Sequence, residues 1–298
     1  MKNIFCLFLG IVILSLSSCF KIDNWDEPDC TFYGTVYDSY TGEPLLASQD
    51  DWQIKIWERT WKGHPGGATA SQDLRIKQDG TYQNTKLFAG TYDMLPDDGP
   101  FWIADTTKSV VLKGKIKQDF TVTPYMIIDD FTCEMKELPR KITEMHLPPE
   151  YGLWVKWRVR APLLIKEGRE IPNLRDIKLF LSLSTFCGQG SNSRISLSMY
   201  DNDGRLAFSG DDGKWSNIIH SKFEQNGAME GYLKADQNTG NDVDTSPEYD
   251  RVVKVKAGYT YFMRVGACTT TGSNRYNYSK IKRLVVSSDG KSAELFDL

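Results

Sequence analysis

Three histidines, His64, His146 and His220, are the side chains best suited to general acid–base or metal chemistry. They lie far apart, and none belongs to an H-E-x-x-H pattern that would set two imidazoles on one helical face. No G-x-S-x-G elbow presents a nucleophilic serine. Gly188-Gln189-Gly190 lacks the third glycine and the following helix of a nucleotide-binding loop. Asp201, Asp203, Asp211 and Asp212 offer hard oxygens to calcium, but Gly204 comes too early for an EF-hand, and turn chemistry accounts for them. Two carboxylates for glycoside hydrolysis can meet from anywhere in a fold. Here the acids cluster in turns, so the expectation is no catalytic residue, no metal and no cofactor.

The tryptophans carry more information. Trp52 and Trp157 alternate with apolar neighbours and belong to cores. Trp57, Trp61, Trp154 and Trp215 fall on polar faces or in loops. A sugar ring has an apolar C–H face that stacks on an indole while polar neighbours take its hydroxyls. The sharpest candidate is Trp215, just beyond the turn Asp211-Asp212-Gly213-Lys214 and close to Asn217. Trp57 and Trp61 form the second candidate.

The elements that must hold such residues read as strands. Aromatic content is 12%, and the 24 glycines and 12 prolines are spread along the chain, which is the composition of an all-β protein with many turns. Thr31–Tyr37 is rich in β-formers. Trp52–Trp57 alternates, and Asp79-Gly80 marks a hairpin turn before Thr81–Gln83. Further strands are expected from Leu87 and over Lys115–Val122. After Pro124, Leu153, Val155, Trp157 and Val159 share one face, and Trp154, Lys156 and Arg158 the other. Ile177, Leu179, Leu181 and Leu183 repeat that period, as do Ile195, Leu197 and Met199. The length exceeds what one core usually serves and suggests two domains. A formal charge of −3 argues against nucleic acid, which needs a basic face. Beyond Cys6 and Cys19, Cys30, Cys133, Cys187 and Cys268 could form two bridges in three pairings. Their spacing does not suit zinc, and a chain this long does not need staples, so free thiols are expected.

The N-terminus gives the address. Lys2 precedes an apolar run from Ile4, which ends in Leu16-Ser17-Ser18-Cys19. This resembles the lipobox of bacterial lipoproteins, which implies cleavage after residue 18 and acylation of Cys19. Nothing after Cys19 has the apolar length of a membrane span, so the acyl chains would be the only attachment. Asp23, Asp26, Glu27 and Asp29 follow in a polar tether. In Bacteroidetes lipoproteins such acids resemble a surface-export signal. The expected division is 1–18 signal peptide, 19–30 acidic tether, 31–124 first sandwich and 125–298 second sandwich.

Both sandwiches carry resemblances. Gly34-Thr35-Val36-Tyr37-Asp38, Thr41-Gly42-Glu43-Pro44-Leu45, Asp79-Gly80-Thr81-Tyr82 and Ala89-Gly90-Thr91-Tyr92 fall in the order seen in the carboxypeptidase regulatory-like domain. That likeness implies a transthyretin-like seven-stranded sandwich, with Gly34, Gly42 and Pro44 in structural roles. Tyr261–Ala267 resembles strand F of a fibronectin type III (immunoglobulin-like) domain, with Tyr261 at the tyrosine corner and Ser279–Val286 as strand G. Material inserted at 200–250 has no counterpart there and is where binding is expected, because loops on a rigid sandwich carry function. The whole order, with Tyr276-Asn277-Tyr278-Ser279 similar to a C-terminal strand, resembles an uncharacterised Bacteroidetes lipoprotein family, a domain of unknown function, encoded beside Sus-type importers. The resemblance implies a non-catalytic glycan-binding accessory of such an importer, at the outer membrane and facing outward. The alternatives are a structural adaptor that docks on the importer without a ligand of its own, and, third, a glycan-active enzyme.

Overall fold

The computed structural model describes residues 27–60, 70–138, 143, 145–160, 174–190, 205–207, 249–270 and 275–298. These residues are all-β. The first sandwich is built around β1, Cys30–Asp38, whose aromatic and β-branched side chains alternate between buried and half-buried. β4 (Thr81–Leu87) pairs antiparallel on one side of it. On the other side β7 (Lys115–Lys117) and β8 (Phe120–Val122) run parallel to it. The stretch expected as one closing strand is thus two, interrupted at Gln118-Asp119, where the Asp119 carboxylate accepts the Thr35 N–H at 2.9 Å. A Cβ on Gly34 would stand 1.8 Å from the Gln118 carbonyl oxygen, so this crossing requires glycine.

The facing sheet has the order β3 (Gln72–Arg75), β2 (Gln53–Glu58), β5 (Gly90–Asp97), β6 (Thr107–Leu112). Phe32, Val36, Trp52, Ile54, Ile56, Tyr82, Tyr92 and Met94 fill the space between the two sheets. The strand expected to start at Leu87 starts at Gly90 instead. Leu87 ends β4, and Phe88 stands exposed at the turn.

The second sandwich has its own core. β10 (Thr132–Glu137), β11 (Tyr151–Trp157) and β15 (Tyr249–Val253) form a three-stranded sheet. The larger sheet runs β14 (Arg205–Ala207), β13 (Leu174–Ser182), β16 (Thr260–Thr269), β18 (Lys282–Val286), β19 (Ala293–Asp297), and β17 (Tyr276–Tyr278) pairs with β16. Leu153, Val155, Trp157 and Val159 meet Ile177, Leu179, Leu181, Met263 and Val265 in the core between them. The Tyr261 hydroxyl accepts the Lys256 N–H at 3.0 Å, which is the corner geometry its position implied. Leu183 does not continue the buried period. β13 ends at Ser182, whose hydroxyl accepts the Ser184 N–H and donates to the Phe186 carbonyl, and Leu183 is left 54% exposed. Tyr276–Ser279 supplies an interior strand rather than a C-terminal one, since β18 and β19 follow. Ile195, Leu197 and Met199 lie outside the described residues. The four cysteines after Cys19 are free thiols, three of them buried and Cys133 half-buried.

Candidate functional site

Most of the expected site falls outside the described residues: Asp211, Asp212, Lys214, Trp215 and Asn217, with Trp61, the lipidation candidate Cys19, His64 and His220. Trp57 is described and half-buried on β2, where it pairs with Asp93 of β5. His146 is exposed, and among the described residues no three His, Cys, Asp or Glu side chains are grouped to hold a metal.

The described indole best placed for stacking is Trp154. From Leu153 to Trp157 β11 alternates, so its inward residues Leu153, Val155 and Trp157 commit Trp154 to the outer face of the three-stranded sheet, where it is half-buried. The register sets Glu134 opposite it on β10 and Val252 opposite it on β15. The Lys136 ammonium lies 4.6 Å from the indole centroid and pairs with Glu134 at 2.7 Å. Two places along from Trp154, Gly152 leaves a notch. A Cβ there would meet Val252 Cγ1 at 2.6 Å and Leu138 Cδ2 at 2.8 Å, so these two apolar side chains occupy it. An indole, an apolar floor and a flanking acid and base thus share one sheet face. The indole can stack the C–H side of a sugar that displaces Lys136, and Glu134 can accept hydrogen bonds from its hydroxyls. Alternation had placed Trp154 on a polar face beside Lys156 and Arg158. The apolar floor could not be read, because Leu138 and Val252 are brought in by strands far away in sequence.

A second cation–aromatic pair lies where the sandwiches meet. The Arg264 guanidinium is 3.6 Å from the Tyr278 ring centroid and donates through Nη2 to the Ala47 carbonyl at 2.8 Å. It is 0% exposed, and its Nε and Nη1 have no hydrogen-bond partner. Burial lowers its pKa from the ordinary value, while the same burial pushes the nearby Asp51 carboxyl up to about 6. Asp51 Oδ1 is 3.5 Å from Arg275 Nη1, and Arg275 Nη2 reaches Asp98 at 2.7 Å. Gly188, at φ +150°, closes over this cluster, since a Cβ there would lie 2.3 Å from Arg264 Nη2. Gly190 donates to Ser48 Oγ at 3.0 Å, and Gln78 clamps the adjoining loop through the Thr185 carbonyl and the Cys187 N–H. The Gly188-Gln189-Gly190 run is therefore part of a domain joint. Asp50 and Asp98, beside the same joint, hold left-handed backbone at φ 57° and 58°.

Comparison with known proteins bears on the fold. Residues 30–123 match the family model described as "Protein of unknown function (DUF3823) N-terminal domain". A solved structure from Bacteroides uniformis ATCC 8492, described as a "putative carbohydrate binding protein", is 21% identical. The match covers 87% of this chain and 100% of that one, with a TM-score of 0.56. A DUF3823 family protein from the same organism is 19% identical over 87% of this chain and 99% of its own, with a TM-score of 0.53. One from Bacteroides ovatus ATCC 8483 is 15% identical, with coverages of 86% and 98% and a TM-score of 0.50. No curated protein matches the sequence. At these identities the structural likeness establishes a shared fold and nothing finer. Residues 30–123 are thus similar in sequence to the DUF3823 N-terminal domain family, and the chain shares the fold of these solved neighbours.

Proposed function

We propose that this chain is a non-catalytic glycan-binding lipoprotein of the outer membrane, anchored by acyl chains on Cys19 and serving a Sus-type nutrient importer. The observation that carries the binding reading is Trp154, held on an outer sheet face between a paired acid and base and beside an apolar floor. A Bacteroides protein of the same fold is described as a "putative carbohydrate binding protein", which supports the same class of ligand for this chain. Trp215 with Asp211, Asp212, Lys214 and Asn217 stands as a further candidate, testable by the same assay. A single stacked ring gives weak affinity, in the range of about 1 mM to tens of μM.

The experiment is a glycan array with the chain from residue 20 onward, followed by Trp154→Ala on whatever is retained. Retention should fall at least about tenfold while the melting temperature moves by no more than a few degrees. A chain that retains no glycan, or a Trp154→Ala variant that retains it undiminished, overturns the assignment. For the anchor, Cys19→Ala in the full-length precursor should leave it unprocessed or release it from the membrane fraction. A processed Cys19→Ala protein that stays membrane-bound rules the anchor out.

One observation favours the adaptor reading. Leu183 and Phe186 stand 54% and 56% exposed on the loop beside the domain joint, which suits protein docking better than a sugar. Co-purification with the importer that survives Trp154→Ala but not Phe186→Asp would favour it.

A further inference from the structure

The turn that follows β1, the short strand β9 (Ile127–Ile128, paired with β12, Val159–Arg160) and β17 enclose a cleft of about 130 Å³ between the domains. Leu45 and Met126, both buried, give it an apolar floor. Its polar lining is dominated by acceptors. Asn277, 2% exposed, donates Nδ2 to the Pro100 carbonyl at 3.0 Å, and its Oδ1 has no hydrogen-bond partner. That oxygen is itself covered, so a ligand hydroxyl would reach it only if the Asn277 side chain turned towards the cleft. Asp38 adds a largely buried carboxylate, already accepting the Tyr40 N–H at 2.7 Å. The cation lining the mouth, Lys280, is 3.9 Å from Glu43 and mostly solvated, so it offers little to an anion. Tyr278 lines it as well, its ring held by the Arg264 guanidinium.

We propose that this cleft is a second subsite, which takes one neutral, hydroxyl-bearing ring such as the terminal residue of a glycan. An apolar cavity of about 150 Å³ holds a benzene ring, so the volume suits a single ring and not an extended chain. Acceptors on the wall call for hydroxyl donors, and the largely buried Asp38 carboxylate disfavours a uronate or a sulfated sugar. The cleft rests on the glycan-binding reading for its class of ligand, but not on Trp154, which belongs to a different surface.

Met126 gives a direct reporter. The mature-length chain, labelled with ¹³C at methionine methyls, is titrated with methyl glucoside, methyl galactoside and methyl mannoside, and in parallel with glucuronate. The Met126 resonance should shift with at least one neutral glycoside and not with glucuronate. The shift should persist in Trp154→Ala and weaken by about tenfold in Lys280→Trp, which plugs the mouth from an exposed position. Thr41→Tyr, at another exposed position of the lining, should act alike; an unchanged melting temperature in either variant shows that the fold is intact. Silence of Met126 towards all three glycosides, an equal response to glucuronate, or a response indifferent to both plugs overturns the subsite. If Met126 responds but the array loses nothing on Trp154→Ala, the subsite stands and the Trp154 reading fails. If the array result holds and Met126 is silent, only the subsite fails.

Discussion

Arg264 on Tyr278 and Lys136 on Trp154 are the same pair of chemical groups, a cation against an aromatic face, in opposite surroundings. The first is sealed at the joint between two sandwiches, where the guanidinium has lost all contact with solvent. The second lies on an outer sheet face, with Lys136 40% and Glu134 56% exposed at their side chains. Burial changes what such a pair is for. In the joint, desolvation makes any broken contact expensive, so Arg264 fixes the two domains against each other. On the surface, water competes for both partners and the pair is worth little, so a ligand that stacks on the indole can displace the lysine.

Removing each cation breaks the comparison most directly. Arg264→Ala deletes the ring contact and the Ala47 hydrogen bond, leaves a cavity, and takes a positive charge from beside buried Asp51. It should cost about 3–5 kcal/mol, lowering the unfolding midpoint by roughly 10 °C. Arg264→Lys should rescue little of this, because an ammonium cannot lie flat on the ring. A loss below about 1 kcal/mol in denaturant unfolding would show that the joint is not held there.

The next effect belongs to Asp51. Its native pKa is raised by burial from 3.8 to about 6, so the folded chain binds that proton more tightly than the unfolded chain does. The stabilising contribution is complete below the unfolded value, is lost as pH rises through the folded one, and stays lost above it. Across that window the wild type should lose on the order of 2–3 kcal/mol that Asp51→Asn does not lose. Stability measured against pH for both proteins checks this, and parallel curves would contradict it.

Lys136→Ala should be the smallest, at most about 0.5 kcal/mol, since it removes an exposed ion pair and an exposed ring contact. It also uncovers the Trp154 face, so glycan retention should hold or rise. Weaker retention would mean that Lys136 binds the ligand itself.

The alternation of apolar and polar residues, together with the turn residues, made much of the architecture legible. Leu153, Val155, Trp157 and Val159, like Ile177, Leu179 and Leu181, are buried as their period requires, and Tyr261 finds its backbone partner. What period could not reveal was short, polar or non-local. β3 reads Gln-Asp-Leu-Arg, with one buried residue, and has no signature of its own. β7 and β8 pair parallel to β1 across a long sequence separation. Of the candidate site, Trp154 and Trp57 were visible as tryptophans on polar faces, but their neighbours come from other strands and left no local mark.

Arg264 shows where the division falls. On β16, Tyr261, Met263, Val265 and Ala267 alternate inward, and the sequence alone determines that Arg264 faces away from that core. A charged residue on the outer face of a strand is ordinarily solvated. Here the first sandwich docks on that face, and Ala47, Ser48, Asp51, Gly188 and Tyr278 surround the guanidinium. The strand period says which way a side chain points, because it is a property of the local backbone. What covers that side chain depends on contacts between residues more than two hundred positions apart, such as Ala47 and Arg264, and only the tertiary structure decides those.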